Sequence, residues 1–439
     1  MNRHPGTVLR AALSFALVIS LSVPTYAGAA RPESETGGVT AAHRSRADLA
    51  SSSGTSGRVL VAYKPGKRSE AVASAKSRGA SLVSTSERSG FVVVKTPAST
   101  SDKAFAAQIA KQDGVKYAEP VYTRRAAFSF TATDTYYPMQ WGLERVGAEA
   151  AWDVTRGAST VKVAVIDSGV DAGHPELASQ VDTANDYDFV DDDAVANDAN
   201  GHGTHVAGII AAETDNATGV AGLANESTLL PVRVLDAAGN GDTPAIVNGI
   251  RWAADHGARV INMSLAGGDF SQAEYDAVQY ARGKNVVVVA AAGNNADWPV
   301  SYPARYPGVI AVGSIDNADA LSYFSNIGAQ IDLVAPGEDI LSTYPLALTS
   351  TAFGQNGYEM KSGTSMAAPH VAAAAALVAA KNTSWTPDQI EGTLKTTADD
   401  KGPAGRDSAF GWGVVRPDQA LAAVAPSDLP SIGDDNIPG

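Results

Sequence analysis

The first folded stretch of the chain, residues 58–125, alternates short apolar strands with amphipathic helices. The runs RVLVAYK and FVVVKT predict strands, SEAVASAKSRGA and DKAFAAQIAKQDG predict helices, a weaker strand lies near Leu82 and Val83, and VKYAEPVY is extended. Gly79 and Gly114 follow the two helices, where a residue without a Cβ ends a helix at least cost. The order β-α-β-β-α-β predicts a small two-layer α/β domain.

The pattern changes from about residue 131, where near-continuous apolar runs alternate with longer helices. Five runs predict strands: VKVAVID (161–167), STLLPVRVL (227–235), RVINMSL (259–265), NVVVVAAAG (285–293) and GVIAVGS (308–314). THVAGIIAAE, PAIVNGIRWAADHG and QAEYDAVQYARGKN lie between them with helical spacing. Strands that are apolar on both sides and separated by helices indicate a parallel sheet covered on both faces. We therefore expect a large α/β domain over residues 131–425.

Residues 1–29 have the pattern of a secretion signal. Arg3 and Arg10 precede the apolar run AALSFALVISLSV, and the small residues Ala27, Gly28 and Ala29 follow it. The run is too short to span a bilayer as a helix, which disfavours the alternative of a membrane anchor. Residues 30–57 and the tail at 426–439 are polar and rich in small residues, so we expect a disordered linker and a flexible end.

The composition and charge of the chain exclude several classes of function. The 44% hydrophobic content is enough for one large and one small core. The absence of cysteine excludes disulfides, thiolate metal sites and cysteine nucleophiles. Residues 30–125 carry 16 basic and 8 acidic side chains, whereas residues 126–439 carry 15 basic and 39 acidic ones. These two parts should attract each other, and the acidic part lacks the clustered cations that nucleic-acid binding requires.

Three short motifs place residues with catalytic chemistry at strand ends and helix starts. Asp167 ends VKVAVID, His202 lies in NGHGTHVAG, and Ser365 lies in SGTSMAAPH. A serine hydroxyl becomes nucleophilic when a neighbouring imidazole takes its proton, and that imidazole needs a carboxylate to hold its tautomer. Each residue alone has a simpler explanation, as a turn aspartate, a structural histidine or a helix cap. The three together favour nucleophilic catalysis.

These motifs, in the order Asp, His, Ser, resemble the signatures of the subtilase family of serine proteases, and they are most similar to its thermitase branch. The resemblance implies a subtilisin-like three-layer domain with a mostly parallel central sheet, and peptide hydrolysis through an acyl-enzyme. It makes Asp167, His202 and Ser365 the triad, with His205 structural. Asn294 in AAAGNN would complete the oxyanion hole with the backbone N–H of Ser365.

The same resemblance implies a substrate site between two exposed edge segments, where an extended peptide adds a strand. The two segments are Gly239, Asn240, Gly241 and Ser264, Leu265, Ala266, with Ala266 where glycine is usual. Small uncharged residues would line the primary specificity pocket, so that a large apolar side chain is accepted before the scissile bond. They are Ala291, Ala292, Gly293 and, near the base, Ser301. The alternative for these residues is plain packing at a strand end.

The resemblance also implies two structural calcium sites, and hard cations prefer several oxygen ligands in flexible loops. The first is an acidic loop with Asp188, Asp191, Asp193, Asn197 and the carbonyl of Val195. The second is dispersed along the chain and uses Asp134, Glu176, Asn216 and the carbonyls of Glu213, Thr218 and Val220. Glu176 stands where aspartate is usual. The alternative for the acidic loop is an ordinary solvated turn.

Residues 58–125 resemble the inhibitor-type propeptide of subtilases, a ferredoxin-like α/β domain that the enzyme cleaves from itself. Its end, KYAEPVYTRRAA, would enter the active site as a product-like strand, although Arg124 and Arg125 also suit a protease specific for basic residues. We expect a secreted, extracellular, monomeric endopeptidase that acts on proteins and peptides, is inhibited by its own pro-domain, and binds neither nucleic acid nor, after signal removal, membrane.

Two rival functions fit the sequence less well. An α/β-hydrolase esterase needs Gly-x-Ser-x-Gly and the order Ser, Asp, His, whereas Ser365 lies in GTSMA and comes last. A catalytically silent binding module on the same fold predicts a broken catalytic set. The chain keeps Asp167, His202, Asn294 and Ser365, so the enzyme is favoured.

Overall fold

The computed structural model describes residues 55–122, 130–296, 299–348 and 357–423, which fall into two compact units divided after Ala126. The predicted signal at 1–29, nearly all of the predicted linker at 30–57, the Arg124–Arg125 pair and the tail at 426–439 lie outside the described residues. The first strand begins at Thr55, three residues before the strand expected from the sequence.

The first unit has the predicted order of elements. They are β1 (Thr55–Tyr63), α1 (Arg68–Lys76), β2 (Ser81–Ser86), β3 (Phe91–Lys95), α2 (Asp102–Ile109) and β4 (Val115–Tyr122). The strands form an antiparallel sheet in the order β2-β3-β1-β4. Alternate residues of β1, such as Val59 and Val61, pack against Phe105 and Ile109 of α2. The unit is therefore the two-layer, ferredoxin-like domain that the sequence predicted.

A seven-stranded sheet forms the centre of the second unit. Its strands are β5 (Lys162–Asp167), β6 (Tyr187–Asp188), β7 (Thr228–Arg233), β8 (Ala258–Met263), β9 (Val287–Ala291), β10 (Val309–Ile315) and β11 (Leu333–Pro336). They are ordered β11-β10-β9-β8-β5-β7-β6, and every neighbouring pair is parallel. Because parallel strands share a direction, the residues that follow β5, β8 and β9 emerge at one edge of the sheet.

Helices cover both faces of this sheet. The long ones are α5 (His202–Ala211), α6 (Thr243–Asp255), α7 (Gln272–Gly283) and α8 (Thr364–Lys381). Along β5, Val163 and Val165 pack into the core that contains α5 and α8, whereas Ala164 and Ile166 pack into the core that contains α6 and α7. This alternation explains why the strands are apolar at nearly every position, and it produces the expected three layers.

The helix α8 is buried along almost its whole length. Its alanine run, Ala372–Ala376, is fully buried, and small side chains allow a helix to approach a sheet and its neighbouring helices closely. This packing fixes the first turn of α8, where Ser365 lies, relative to the strand ends.

Shorter elements complete the second unit. They are a 3₁₀ turn (Tyr137–Met139), α3 (Trp141–Arg145), α4 (Ala148–Trp152), α9 (Pro387–Thr396), α10 (Pro417–Ala422) and the antiparallel pair β12 (Ile340–Thr343) and β13 (Tyr358–Lys361). Across the parts of the chain that the structure describes, no helix is both long and apolar enough to cross a membrane.

Candidate active site

Asp167 and His202 come together where β5 ends and α5 begins. The Nδ1 atom of His202 lies 2.8 Å from Oδ1 of Asp167, and the backbone N–H of Ser168 donates to the same oxygen at 2.7 Å. Asp167 is fully buried, whereas the side chain of His202 is about one-quarter exposed. Since an ionised carboxylate only accepts hydrogen bonds, His202 donates from Nδ1 and keeps Nε2 as an acceptor.

The first turn of α5 is held by Asp198, which the sequence analysis did not single out. Its Oδ2 accepts from the backbone N–H and the hydroxyl of Thr204 at 2.9 and 2.6 Å, and its Oδ1 accepts from Gly201 at 2.7 Å. Gly201 has a φ of 93°, and a Cβ there would lie 2.2 Å from the ring of Tyr344. Capping by Asp198 and the absence of a side chain at Gly201 therefore position His202.

Opposing charges act on His202. Burial disfavours its imidazolium, but the carboxylate of Asp167 outweighs burial and raises the pKa of His202 above its ordinary value. Lys361, at the end of β13, acts in the opposite direction and lowers the pKa of His202. The basicity of the His202 imidazole thus depends on the carboxylate of Asp167 and on the ammonium group of Lys361.

Ser365 is the second residue of α8, at the end of the helix where backbone N–H groups lack intrahelical partners. Its hydroxyl donates to the carbonyl oxygen of Ser264 at 3.1 Å, and the hydroxyl of Ser264 donates back to the carbonyl of Ser365 at 2.7 Å. No hydrogen bond joins Ser365 to His202 in this structure. The hydroxyl must therefore turn away from Ser264 before it can give its proton to His202, as is common in substrate-free sites.

Asn294 presents its amide group beside the serine helix. Its Oδ1 accepts from the backbone N–H of Thr364 at 2.8 Å and from the hydroxyl of Thr364 at 2.9 Å. The oxygen is thereby fixed, and the Nδ2 donors remain available on the side of Gly363, where a Cβ would lie 3.3 Å from Nδ2. Nδ2 and the N–H groups at the start of α8 are the kind of donor that stabilises an oxyanion.

His205 does not take part in the cleft. It is fully buried, and its Nε2 lies 3.0 Å from the carbonyl oxygen of Ile340 and 3.1 Å from that of Glu359. Burial, together with the charges of Lys361 and His202, lowers the pKa of His205 to about 3. A neutral imidazole that donates to β12 and β13 ties α5 to this strand pair, which is a structural role.

A cleft of about 550 Å³ opens over these residues. His202, Asn294 and Ser365 line it, and Asp167 lies buried behind His202. Most residues predicted to bind substrate also line it: Gly239, Asn240, Gly241, Ser264, Leu265, Ala266, Gly293 and Ser301. The structure therefore brings the predicted catalytic and peptide-binding residues to one surface.

Ala291 and Ala292 differ from the other predicted substrate residues, because both are buried and neither lines the open cleft. The carbonyl of Ala292 accepts from the backbone N–H of Ser301 at 3.0 Å and from Nδ2 of Asn326 at 3.2 Å. A Cβ at Gly293 would lie 2.4 Å from Nδ2 of Asn326, so this position requires glycine. Asn326, which the sequence did not indicate, thus connects Ala292 in the wall of the predicted pocket to Ser301 at its base.

The structure adds cleft residues that no motif marks. Leu235, Thr243, Ile246, Glu274 and Tyr302 also line the cleft, and Tyr302 precedes Pro303 through a cis peptide bond. In the sequence, Tyr302 directly follows Ser301 of the predicted pocket, and the other four lie near the two edge segments. They come from α6, α7 and two loops, so their convergence depends on the tertiary fold.

Among the residues predicted as dispersed calcium ligands, Asp134 and Glu176 are buried carboxylates. Burial raises the pKa of Glu176 to about 6, and the charge of Asp134 adds to this, while Oε2 of Glu176 is buried without a hydrogen-bond partner. Asn216 and Thr218 complete the cluster, with the Thr218 hydroxyl 2.9 Å from Oε1 of Glu176 and 2.8 Å from Oδ1 of Asn216. The unpaired Oε2 of Glu176, close to the side-chain oxygens of Asn216 and Thr218, is the kind of environment that a hard cation prefers.

In the acidic loop, two of the residues predicted to bind calcium contact an arginine side chain. One nitrogen of Arg233 lies 2.5 Å from Oδ2 of Asp188 and 2.6 Å from Oδ2 of Asp191, while Oδ1 of Asp193 accepts from the backbone of Val195 at 2.9 Å. Over the described ranges, no three His, Cys, Asp or Glu side chains converge closely enough to hold a metal. The guanidinium of Arg233 therefore places a positive charge beside Asp188 and Asp191, two of the predicted calcium ligands.

Comparison with known proteins assigns the chain to a protein family. The model of the subtilase family matches residues 158–413, more than half of the chain, and a model of the fervidolysin N-terminal prodomain matches residues 47–120. The first match includes Asp167, His202, Asn294 and Ser365.

Known relatives agree with this assignment. A thermophilic serine proteinase of Bacillus sp. (strain AK1) is 45% identical over 347 residues, covering 78% of this chain and 82% of the relative. Thermitase of Thermoactinomyces vulgaris is 46% identical over 271 residues, covering 62% of this chain and 92% of thermitase. Among solved structures, a lanthipeptide protease matches with a TM-score of 0.61 at 30% identity, over 67% of this chain and 99% of its own.

Proposed function

The chain belongs to the subtilase family and is a subtilisin-like serine protease with an N-terminal prodomain, and we propose that Asp167, His202 and Ser365 are its catalytic triad. The observation that carries this proposal is the 2.8 Å contact between Asp167 and His202, which leaves Nε2 of His202 as a base in a cleft shared with Ser365. The raised pKa of His202 adds basicity to that nitrogen.

The residues act in two half-reactions. Nε2 of His202 takes the proton of Ser365, and Oγ attacks the carbonyl carbon of the peptide bond. The oxyanion that forms is stabilised by Nδ2 of Asn294 and the backbone N–H of Ser365. His202 then gives its proton to the leaving amine, which leaves an acyl-enzyme, and a water molecule repeats the sequence to release the acid. Asp167 keeps its charge throughout and stabilises the imidazolium.

Labelling with a fluorophosphonate probe tests the nucleophile. Full-length protein and the variants Ser365→Ala and Ser362→Ala are treated with the probe after maturation or, where maturation fails, as the precursor. Ser362 is an exposed hydroxyl three residues from Ser365 that pairs with Asp339, so it is a matched control. We expect labelling and peptidase activity to disappear in Ser365→Ala and to remain in Ser362→Ala. Retained labelling of Ser365→Ala would refute the assignment.

We further propose a broad specificity with a preference for large apolar side chains before the scissile bond. Gly293 and Ser301 line the cleft without charge or bulk, and Asn326 uses its amide on Ala292 and Ser301 rather than on the open space. Gly293→Ala tests this pocket, since the added Cβ meets Asn326 and displaces it. The variant should lose more activity on peptides with phenylalanine before the scissile bond than on peptides with alanine there.

The prodomain is proposed to inhibit the enzyme until the enzyme removes it. A basic prodomain region and an acidic protease region support this, because opposite net charges favour association after cleavage. We propose that the protein is secreted and matures by its own activity. Ser365→Ala should then keep its prodomain in a host without other proteases, and complete maturation there would contradict self-processing.

A structural calcium ion is proposed at the dispersed site, where Asp134, Glu176 and Asn216 supply side-chain oxygens. Bound calcium would neutralise the two buried carboxylates and join the segments that carry them. The calcium site of the acidic loop stays a prediction, and Arg233 provides a metal-free explanation for the same loop.

A further inference from the structure

Glu274 is a buried carboxylate in the wall of the substrate cleft. It lies in the first turn of α7, is 7% exposed, and lines the cleft with Thr243 and Leu265. Burial of a carboxylate costs free energy unless the charge is compensated. The position therefore needs an explanation beyond helix capping, which an exposed glutamate provides equally well.

The partners of Glu274 are neutral. The hydroxyl of Thr243 donates to Oε1 at 3.0 Å, and the hydroxyl of Tyr306 lies 3.0 Å from Oε2. Burial, with the nearby carboxylate, raises the pKa of Tyr306, so this hydroxyl stays protonated and remains a donor. Within the described parts of the chain, no Lys, Arg or His side chain pairs with Glu274. Each carboxylate oxygen keeps acceptor capacity, because it has more lone pairs than partners.

The surroundings of Glu274 suit a long cationic side chain. Thr243 and Ile246 lie three residues apart on α6 and so share a face, and Leu235 and Leu265 line the same cleft. Apolar walls of this kind pack against the methylene stem of arginine or lysine, while the carboxylate receives the charged group.

We propose that Glu274 selects peptide substrates that carry arginine or lysine at one position other than the residue in the primary specificity pocket. The primary pocket is built from Gly293, Ser301 and Asn326, whereas Glu274 belongs to the surface of α6 and α7, so a different residue of the extended peptide reaches it. This inference rests on the proposed peptidase activity of the same cleft, and it adds a charge requirement to a site otherwise lined by apolar and small residues.

Peptide pairs that differ only in charge test the proposal. A fluorogenic peptide with phenylalanine in the primary position receives arginine, or its neutral isostere citrulline, at one other position at a time. We measure kcat/KM for the mature enzyme and for Glu274→Gln, which keeps the size and shape of the side chain but removes its charge. Asp276→Asn is the control. Asp276 is an exposed carboxylate on the same helix, so this control removes an equal charge outside the cleft.

At one position, arginine should be preferred over citrulline by roughly tenfold or more in the native enzyme and in Asp276→Asn. Glu274→Gln should bring that ratio close to one. A ratio near one at every position in the native enzyme, or an unchanged ratio in Glu274→Gln, overturns the inference and leaves Glu274 as a buried helix cap.

A second variant covers the case in which Glu274→Gln does not fold. Glu274→Asp keeps the charge on a shorter stem and should retain a preference for arginine, and loss of that preference in a folded protein counts against the inference. Active-site titration with the fluorophosphonate probe distinguishes failure of the Glu274 inference from failure of the proposed peptidase function. If the native enzyme neither reacts with the probe nor cleaves any peptide, the proposed function itself is wrong.

Discussion

At the residue scale, the charge balance around His202 determines where its imidazole titrates. Asp167 contacts Nδ1 directly and raises the pKa of His202, whereas the charge of Lys361 lowers it. Lys361 lies at the end of β13, and its ammonium nitrogen is 5.2 Å from the centre of the Tyr344 ring. In the proposed mechanism the neutral imidazole of His202 is the base, so the acid limb of the pH–activity profile should report this pKa.

Replacing Lys361 by glutamine should move the acid limb of kcat/KM to higher pH. Removal of the cation leaves the attraction of Asp167 unopposed, the pKa of His202 rises, and the imidazole is neutral only at higher pH. Lys284→Gln serves as the control, because Lys284 is an exposed cation that follows α7 and pairs with Asp255 at the end of α6. An acid limb that moves to lower pH in Lys361→Gln, or moves equally in both variants, would show that Lys361 does not act on His202.

The residues proposed as the catalytic triad stand out in the sequence because they lie in contiguous motifs with a recognisable order. The residues that tune the site do not. Lys361 precedes the serine motif closely in the chain, yet nothing in the sequence indicates that its charge faces His202. Glu274 and Asn326 come from a helix and a loop that approach the cleft only in the folded protein. Their roles depend on side-chain direction and burial, which spacing along the chain does not encode.

At the element scale, α5 packs directly against the strand pair β12 and β13. A Cβ at Gly208 would lie 2.2 Å from the hydroxyl of Thr343 and 2.3 Å from that of Ser342. Both hydroxyls donate to carbonyls of α5, each at 2.7 Å. The glycine therefore permits both close packing and two hydrogen bonds that hold the helix carrying His202.

Gly208→Ala should lower the free energy of unfolding by about 1–3 kcal/mol, as overpacking does, even though alanine favours helix. Gly283→Ala is the matched control, since Gly283 ends α7 and a Cβ there meets nothing within 4 Å. It should be neutral or raise stability by up to about 1 kcal/mol. Thermal unfolding of both variants in a Ser365→Ala background avoids autolysis. Equal effects of the two substitutions would mean that α5 adjusts to the added methyl group.

Five of the seven strands of the large sheet and the long helices were predictable because their apolar periodicity is continuous, whereas β6 and β11 were missed. The parallel sheet followed from strands apolar on both sides. The short elements were not predictable. The strand β6 has two residues, and β12 and β13 have four each, so they give no periodic signal. The acidic loop also contains a contact that the sequence did not indicate, since the guanidinium of Arg233 at the end of β7 pairs with Asp188.

The proposed dispersed calcium site would join elements that are distant in the chain. Asp134 precedes α3, Glu176 follows β5, and Asn216 follows α5. Backbone N–H groups of Asp215 and Asn216 already donate to Asp134, so a cation would complete a partly formed junction. A ligand that binds only the folded state adds about 2.7 kcal/mol at 100 times its dissociation constant.

In a Ser365→Ala background, a calcium chelator should lower the thermal midpoint of the protein. The decrease should be much smaller in Asn216→Ala, which removes a side-chain ligand and is therefore already destabilised before chelation. It should persist in Asp191→Asn, because Asp191 is largely exposed and Asp188 keeps its contact with Arg233. A chelator effect that disappears in Asp191→Asn instead would place the stabilising ion in the acidic loop, and no effect in the parent would exclude both sites.

At the scale of the whole molecule, the prodomain and the protease differ in charge. Residues 30–125 carry twice as many basic as acidic side chains, whereas residues 126–439 carry 39 acidic and 15 basic ones. Charges of opposite sign on two bodies speed their encounter at low ionic strength, and salt screens them over a Debye length of about 10 Å at 0.1 M but about 3 Å at 1 M. The charge difference therefore makes a specific prediction about inhibition.

The released prodomain, supplied as residues 30–125, should inhibit the mature enzyme more weakly as salt rises. The association rate should fall more than the dissociation rate rises, because long-range attraction acts mainly on encounter. Progress curves with a neutral fluorogenic peptide, recorded at about 0.05 M and about 1 M sodium chloride, give both rate constants. Hydrolysis of the same peptide without prodomain corrects for direct effects of salt on catalysis. An inhibition constant that does not change, or that tightens at high salt, would mean that apolar contacts and strand pairing rather than net charge drive this association.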